Sequence, residues 1–199
     1  MIRAEAERLD HLMSDLLALA RAEAEDFDVD IRTVDLSDVA RAAAQAWAEP
    51  ARRSGHLWEP DIDEQPVPAL ADPIRVRQVI DALLANALRV TPSRRPVILS
   101  TGVADDGSPT LQVRDGGPGL SDADLPVAFD AGVLRDRYEG IRPGGSGIGL
   151  ALVDRLVRRM GGTGRIVDEE RLVGRQCLLV ANPGDGLVGH VDQKMIVGI

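Results

Sequence analysis

Apolar residues recur at helical spacing in several stretches of the chain and alternate with polar ones in others, so both helices and strands are expected. Residues 2–25 carry Leu9, Leu12, Met13, Leu16, Leu17 and Leu19 largely at i, i+3, i+4 spacing, with charged residues over much of the opposite face. Such a face serves either the domain's own core or a helical partner. In residues 74–89 the positions Val76, Val79, Ile80, Leu83, Leu84 and Ala87 form one apolar face, and Asp72-Pro73 reads as N-cap plus first helical residue. A further helix is expected over 37–54 with Ser37 as its cap, and residues 151–157 repeat the helical spacing. Strands are expected near 56–61, 67–71, 96–104, 109–115, 163–168 and 174–181, with Asp105-Asp106-Gly107 as a hairpin turn. Residues 26–34, rich in Asp, read as a connector.

Candidate chemistry sits where these elements meet glycine. The run Gly144-Gly145-Ser146-Gly147-Ile148-Gly149-Leu150 leads straight into the helical pattern of 151–157. Glycine at this density lets backbone approach closely and leaves N–H groups unshielded. The loop is either an anion cradle, in which free N–H groups and the helix dipole favour phosphate, or a tight connection. Upstream, Asp115-Gly116-Gly117-Pro118-Gly119 closes the alternating segment Thr110-Leu111-Gln112-Val113-Arg114. Asp115 can accept a hydrogen bond from an exocyclic amine or cap its own backbone. Asn86 interrupts an aliphatic run between alanines. It reads as a hydrogen-bonded helix residue or as a metal ligand.

Those segments, in that order, resemble the nucleotide-binding domain of sensor histidine kinases, which Hsp90-type chaperones, type II topoisomerases and MutL share. Gln78 to Pro92 resembles the kinase N box, Asp115 to Gly119 the G1 box, and Phe129-Asp130 with Arg135 the F box with one extra residue. Gly145 to Leu150 resembles the G2 box, Met160-Gly161-Gly162 the usual His-Gly-Gly, and Gly174 to Val180 the closing strand. The resemblance implies an α+β fold, a two-layer sandwich of the Bergerat type with helices over a mixed sheet, preceded by a long amphipathic helix. It implies Mg-ATP as cofactor. Asn86 would hold Mg²⁺, and Arg89 and Arg135 would contact phosphate. Asp115 would recognise adenine beside Gly117 and Gly119, and Gly145, Ser146, Gly147, Ile148, Gly149 and Leu150 would form the phosphate loop. The expected division is 1–28 as a partial dimerisation and phosphotransfer helix, 29–183 as catalytic domain and 184–199 as a tail of unknown role.

The N-terminal helix resembles the second helix of the kinase phosphotransfer hairpin, which implies bundle association through Leu9, Leu12, Met13, Leu16 and Leu19. Thr33 to Val39 resembles the lead-in to the catalytic domain. His11, His56 and His190 all lack the surroundings of a phosphoacceptor. The acceptor is therefore expected on a partner protein or a missing segment, with a response regulator downstream. The chain is either cut through the hairpin or part of a split kinase, and the second reading is favoured because Met1 precedes a whole second helix.

Departures from the family pattern qualify the activity. Ala82 stands one turn before Asn86, where kinases carry asparagine and hydrolysing relatives glutamate, so weak ATP hydrolysis is expected. Asp81 is not expected to substitute, since one residue turns about 100° around the helix. Val90 and Gly116 replace common aromatic and polar residues near adenine. Alternative readings are a catalytically weak nucleotide-binding interaction module and an anti-sigma-type serine kinase.

Composition narrows the remainder. A net charge of −9 argues against nucleic-acid binding. Cys177, alone in an apolar strand, excludes an internal disulfide and reads as core. Lys194, the only lysine, follows no Walker motif. Without a signal peptide or an 18-residue apolar run, a cytoplasmic chain is expected, and the resemblance allows a membrane-attached full kinase. Past Asn182-Pro183, the tail adds Val188, Val191, Met195, Ile196, Val197 and Ile199, and could be disordered, an extra strand or a partner contact.

Overall fold

The computed structural model describes Met13 and residues 28–140, 145–167 and 175–180. The tail and Gly144 lie outside them, as does the N-terminal helix apart from Met13, which is helical and exposed. Among the described residues the elements are β1 (Arg32–Asp35), α1 (Leu36–Arg53), β2 (Leu57–Trp58), β3 (Pro68–Ala71), α2 (Pro73–Val90), β4 (Pro96–Val103) and β5 (Pro109–Asp115). They continue with a 3-10 turn (Leu125–Val127), α3 (Val133–Arg137), α4 (Gly149–Arg159), β6 (Thr163–Val167) and β7 (Arg175–Val180).

The main sheet has the order β2-β4-β5-β7-β6 and is mixed: β2 runs parallel to β4, and the remaining neighbours are antiparallel. Helices α1, α2 and α4 pack around one core with residues of β4 and β5. This is the two-layer α+β arrangement expected from the motifs. β1 and β3 form a separate antiparallel pair, Arg32 opposite Ala71 and Asp35 opposite Pro68. Residues 32–34 are therefore strand rather than connector. Backbone pairing with β3 holds them as a strand, with only Val34 of the trio buried. The expected strand at 56–61 shortens to Leu57–Trp58 plus an isolated bridge from Asp61 to Ser100.

Two aspartates set the helix starts. Asp35, not Ser37, caps α1: its Oδ1 accepts from the Ser37 amide at 2.9 Å and from Val67 N at 2.9 Å. Ser37 instead lies inside the first turn, fully buried, with its hydroxyl 3.0 Å from Thr101 Oγ1. A carboxylate in extended backbone at the strand end reaches the first amides before a serine can. Asp72 caps α2 as expected, accepting from the amides of Ile74 at 2.8 Å and Arg75 at 3.2 Å. Its other oxygen accepts from Asp30 N at 3.1 Å.

From that start α2 buries Val76, Val79, Ile80, Leu83, Leu84 and Ala87, the face read from the sequence. α4 buries Leu152, Val153, Leu156 and Val157 and stops at Gly161, whose φ of +77° suits the left-handed turn after a helix. No helix among the described residues is long and apolar enough to cross a membrane.

Removing the buried cap should loosen α2 as a whole. Asp72→Ala deletes the acceptor for the amides of Ile74, Arg75 and Asp30. The expected loss is about 1–3 kcal/mol, read as a lower urea midpoint with an unchanged m-value.

Candidate nucleotide site

Beside its buried face α2 carries Gln78, Ala82, Ala85, Asn86 and Arg89, and these line a cavity of about 710 Å³. Ala46, Trp47 and Pro50 of α1 form one wall, and Gly145, Ser146, Gly147, Gly149 and Leu150 form the other. The volume suits a ligand of nucleotide size.

Arg89 Nη2 donates to Asn86 Oδ1, and the guanidinium lies flat against the glycine loop. A Cβ added to Gly145 would sit 2.9 Å from Arg89 Cζ, so glycine at 145 serves close approach. Gly147 has φ +72°, and its carbonyl accepts from Gly132 N at 2.9 Å, tying the loop to the segment before α3. A Cβ there would lie 2.9 Å from Arg135 Cβ, and Arg135 Nη1 reaches Ser146 O at 3.5 Å. Ser146 Oγ accepts from Ile148 N at 3.2 Å. No side chain caps α4, and nothing stands within 4 Å of the Cβ position at Gly149. An uncapped helix start opening on a cavity favours an anion.

Asp115 is elsewhere. It is buried at the end of β5, with Oδ1 accepting from Gly117 N at 2.6 Å. A Cβ on Gly117 would lie 3.1 Å from Val90 Cγ2, which sets the Asp115 turn against the C-terminal end of α2. Gly119 has φ +84° in the same turn. The 710 Å³ cavity therefore brings together Asn86, Arg89, Gly145, Ser146, Gly147, Gly149 and Leu150, with Arg135 and Ile148 against the loop. Asp115, Gly117 and Gly119 are not among its walls.

Sequence reasoning missed part of the wall. Arg77 and Asp81 also line the cavity, because it spans two neighbouring strips of α2. Ala82 does face the cavity, as its spacing from Asn86 implied. The i, i+4 pair Arg77 and Asp81, one residue out of step with Gln78 and Ala82, was the available signal.

A second carboxylate organises the segment over the loop. Ser121 Oγ donates to Asp124 at 2.6 Å, and Tyr138 Oη and Arg137 Nη1 donate to the same group. These donors, the Ser121 hydroxyl foremost and then Tyr138 and Arg137, hold the Asp124 carboxyl well below the usual aspartate range.

The family model of the histidine kinase-, DNA gyrase B- and HSP90-like ATPases matches residues 71–184. The chain belongs to that family. It is 31% identical over 160 residues to the sensor histidine kinase YkoH of Bacillus subtilis, covering 80% of this chain and 34% of that protein. With the probable sensor histidine kinase TcrY of Mycobacterium tuberculosis it shares 35% identity over 164 residues, 81% of this chain and 33% of the relative. The chain thus spans about a third of these relatives' length. The structure of full-length ShkA in complex with AMPPNP superposes with a TM-score of 0.74 at 28% identity, covering 90% of this chain and 36% of that one. The sheet and its helix layer are those of a histidine-kinase catalytic domain.

The Asp124 cluster gives a pH prediction. A carboxyl depressed in the folded state contributes stability above its unfolded value of about 3.9 and loses it as pH falls further. The ring signals of Tyr138, the only tyrosine, should stay unchanged from pH 7 to about 5 and move only below about 4. Asp124→Asn should shift them at neutral pH and speed tryptic cleavage at Arg135 and Arg137.

Proposed function

We propose that this domain binds Mg-ATP and transfers the γ-phosphate to a histidine on another polypeptide or on a segment outside this sequence. The convergence of Asn86, Arg89 and the glycine loop on one cavity, beside an uncapped helix start, carries the reading. The likeness to sensor histidine kinases and to the AMPPNP-bound ShkA supports it.

In this reading the amides of Gly145, Gly147 and Gly149 and their neighbours Ser146, Ile148 and Leu150 cradle the phosphates. Arg89 leaves Asn86 to contact them, joined by Arg135. Asp115, its carboxylate plane set by the Gly117 amide, takes the exocyclic amine of adenine, and Gly117 and Gly119 leave room for the base. Asn86 offers a hard oxygen donor, and no acidic cluster for a metal exists among the described residues. That set fits Mg²⁺, which keeps several waters and takes other ligands from substrate phosphates. When bound there, Mg²⁺ supplies neutralisation of charge on the transferring phosphoryl group.

Residues 29–183 then form the catalytic part, and the leucine-faced N-terminal helix joins a phosphotransfer bundle. A response regulator receives the phosphate afterwards. Ala82 presents a methyl group where water attack would need a base, so hydrolysis is slow. Imidazole is itself a nucleophile, so positioning suffices for transfer.

Incubating the chain with γ-labelled ATP and a helical hairpin carrying one histidine should label the hairpin. Absence of label under conditions that saturate nucleotide would sink the kinase reading. Asn86→Ala should lower transfer by roughly a hundredfold or more. Asp115→Asn should abolish AMPPNP binding by calorimetry, and retained affinity would show that the base sits elsewhere.

A further inference from the structure

The order of groups along α2 gives the cavity a direction. Val90, at the C-terminal end, abuts Gly117 beside Asp115, and Arg89 and Asn86 come next. Toward the N-terminus follow Ala82, Asp81, Gln78 and Arg77. At 1.5 Å per residue, Arg89 and Arg77 are about 18 Å apart along the axis. With the base at the Val90 end and the phosphates at Asn86 and Arg89, the γ-phosphate faces the N-terminal half. In-line displacement requires the acceptor on the side of the γ-phosphate opposite the leaving oxygen. The acceptor must therefore arrive over Asp81 and Trp47.

That end of the cavity is built. Trp47 Nε1 donates to Asp81 Oδ1 at 2.7 Å. Arg77 Nε donates to both carboxylate oxygens, at 2.9 Å and 3.0 Å. Oδ1 thus takes two N–H groups and Oδ2 one, while the side chain keeps 39% of its exposure. The carboxylate is clamped in orientation, with lone-pair capacity left on Oδ2. The Trp47 ring supplies an apolar wall on which a flat heterocycle can lie.

We propose that Trp47, Arg77 and Asp81 form the acceptor subsite, and that Asp81 Oδ2 accepts a hydrogen bond from Nδ1–H of the incoming histidine. The proposal rests on the kinase reading above. That hydrogen bond selects the tautomer whose lone pair is on Nε2. The Nε2–P bond forms as the bond from phosphorus to the bridging oxygen breaks, and the electron pair leaves with ADP. The ring keeps its Nδ1 proton and becomes an imidazolium, whose charge the Asp81 carboxylate offsets. Tautomer selection and charge balance by a fixed carboxylate follow the logic of a histidine–aspartate pair.

The competing account is a hydrogen bond from Trp47 to Asp81 that only fastens α1 to α2, with Arg77 paired to Asp81 within α2. Asp81→Asn separates the two, since the amide oxygen still accepts from the Trp47 indole. The acceptor is a helical hairpin with one histidine, either unmodified or methylated at Nδ1. Asp81→Asn should bind AMPPNP like the parent yet transfer roughly tenfold or more slowly, with the KM for ATP unchanged. The methylated acceptor should cost the parent a similar factor and cost the variant little more. Trp47→Phe, which keeps an aromatic ring and removes the donor, should fall between.

Parental transfer rates in Asp81→Asn would overturn the subsite and leave the kinase reading intact, as would an equal methylation penalty in both proteins. Loss of AMPPNP binding in step with transfer would assign Asp81 to structure alone. A parent that binds AMPPNP but labels no hairpin overturns both.

Discussion

The packing of α2 against the sheet and its neighbouring helices decides where every group of the site points. Ile80 and Leu84 are fully buried, and each such side chain contributes roughly 1.5–3 kcal/mol. The polar contacts on the opposite face, such as the one from Arg89 to Asn86, contribute nearer 1 kcal/mol each. The core therefore sets the rotation of the helix, and the site accepts it. Turning α2 by one residue would swing its polar strips about 100°, moving Asn86 off the glycine loop and Ala87 out of the core. Both faces of one helix are thus committed.

Aspartates at strand ends fix the other boundaries of the site by one repeated device. Asp35 closing β1, Asp72 after β3 and Asp115 closing β5 each accept the amide two residues on. At Asp35 and Asp72 the turn opens a helix, and at Asp115 it opens a glycine turn instead. The same local chemistry therefore holds a helix start in two places and a candidate recognition carboxylate in the third. Part of the chain's acidity is architecture.

How much could be read from the sequence followed from how local each cause was. The α2 face, its Asp72-Pro73 start, the β4–β5 hairpin and the glycine opening of α4 rest on neighbours within a few residues, and all are found. β1 was missed because its stability comes from pairing with Ala71–Pro68, some thirty-five residues away. The cap of α1 was misassigned because two candidates stood two residues apart, and long-range contacts to Val67 and Thr101 decided between them. At the site, spacing along α2 was enough to put Ala82 and Asn86 on one wall. It could not reveal Trp47, whose approach to Asp81 depends on how α1 crosses α2.

Ala82 and Asp81 bear together on the choice between water and imidazole as nucleophile. Water beside the γ-phosphate must lose a proton as it attacks, and Ala82, one turn before Asn86, offers only a methyl group to receive it. Imidazole attacks through a lone pair it already has. Under the proposed subsite, its need is for a partner at the far nitrogen, on the α1 side of the cavity, where Trp47 and Arg77 hold the Asp81 carboxylate. Ala82, mute toward water, and Asp81, which addresses a ring, are offset by about 100° on the same helix. An alanine that looks like decay when the motif is read alone is, beside the Trp47–Asp81 clamp, consistent with a site that suppresses hydrolysis and keeps transfer.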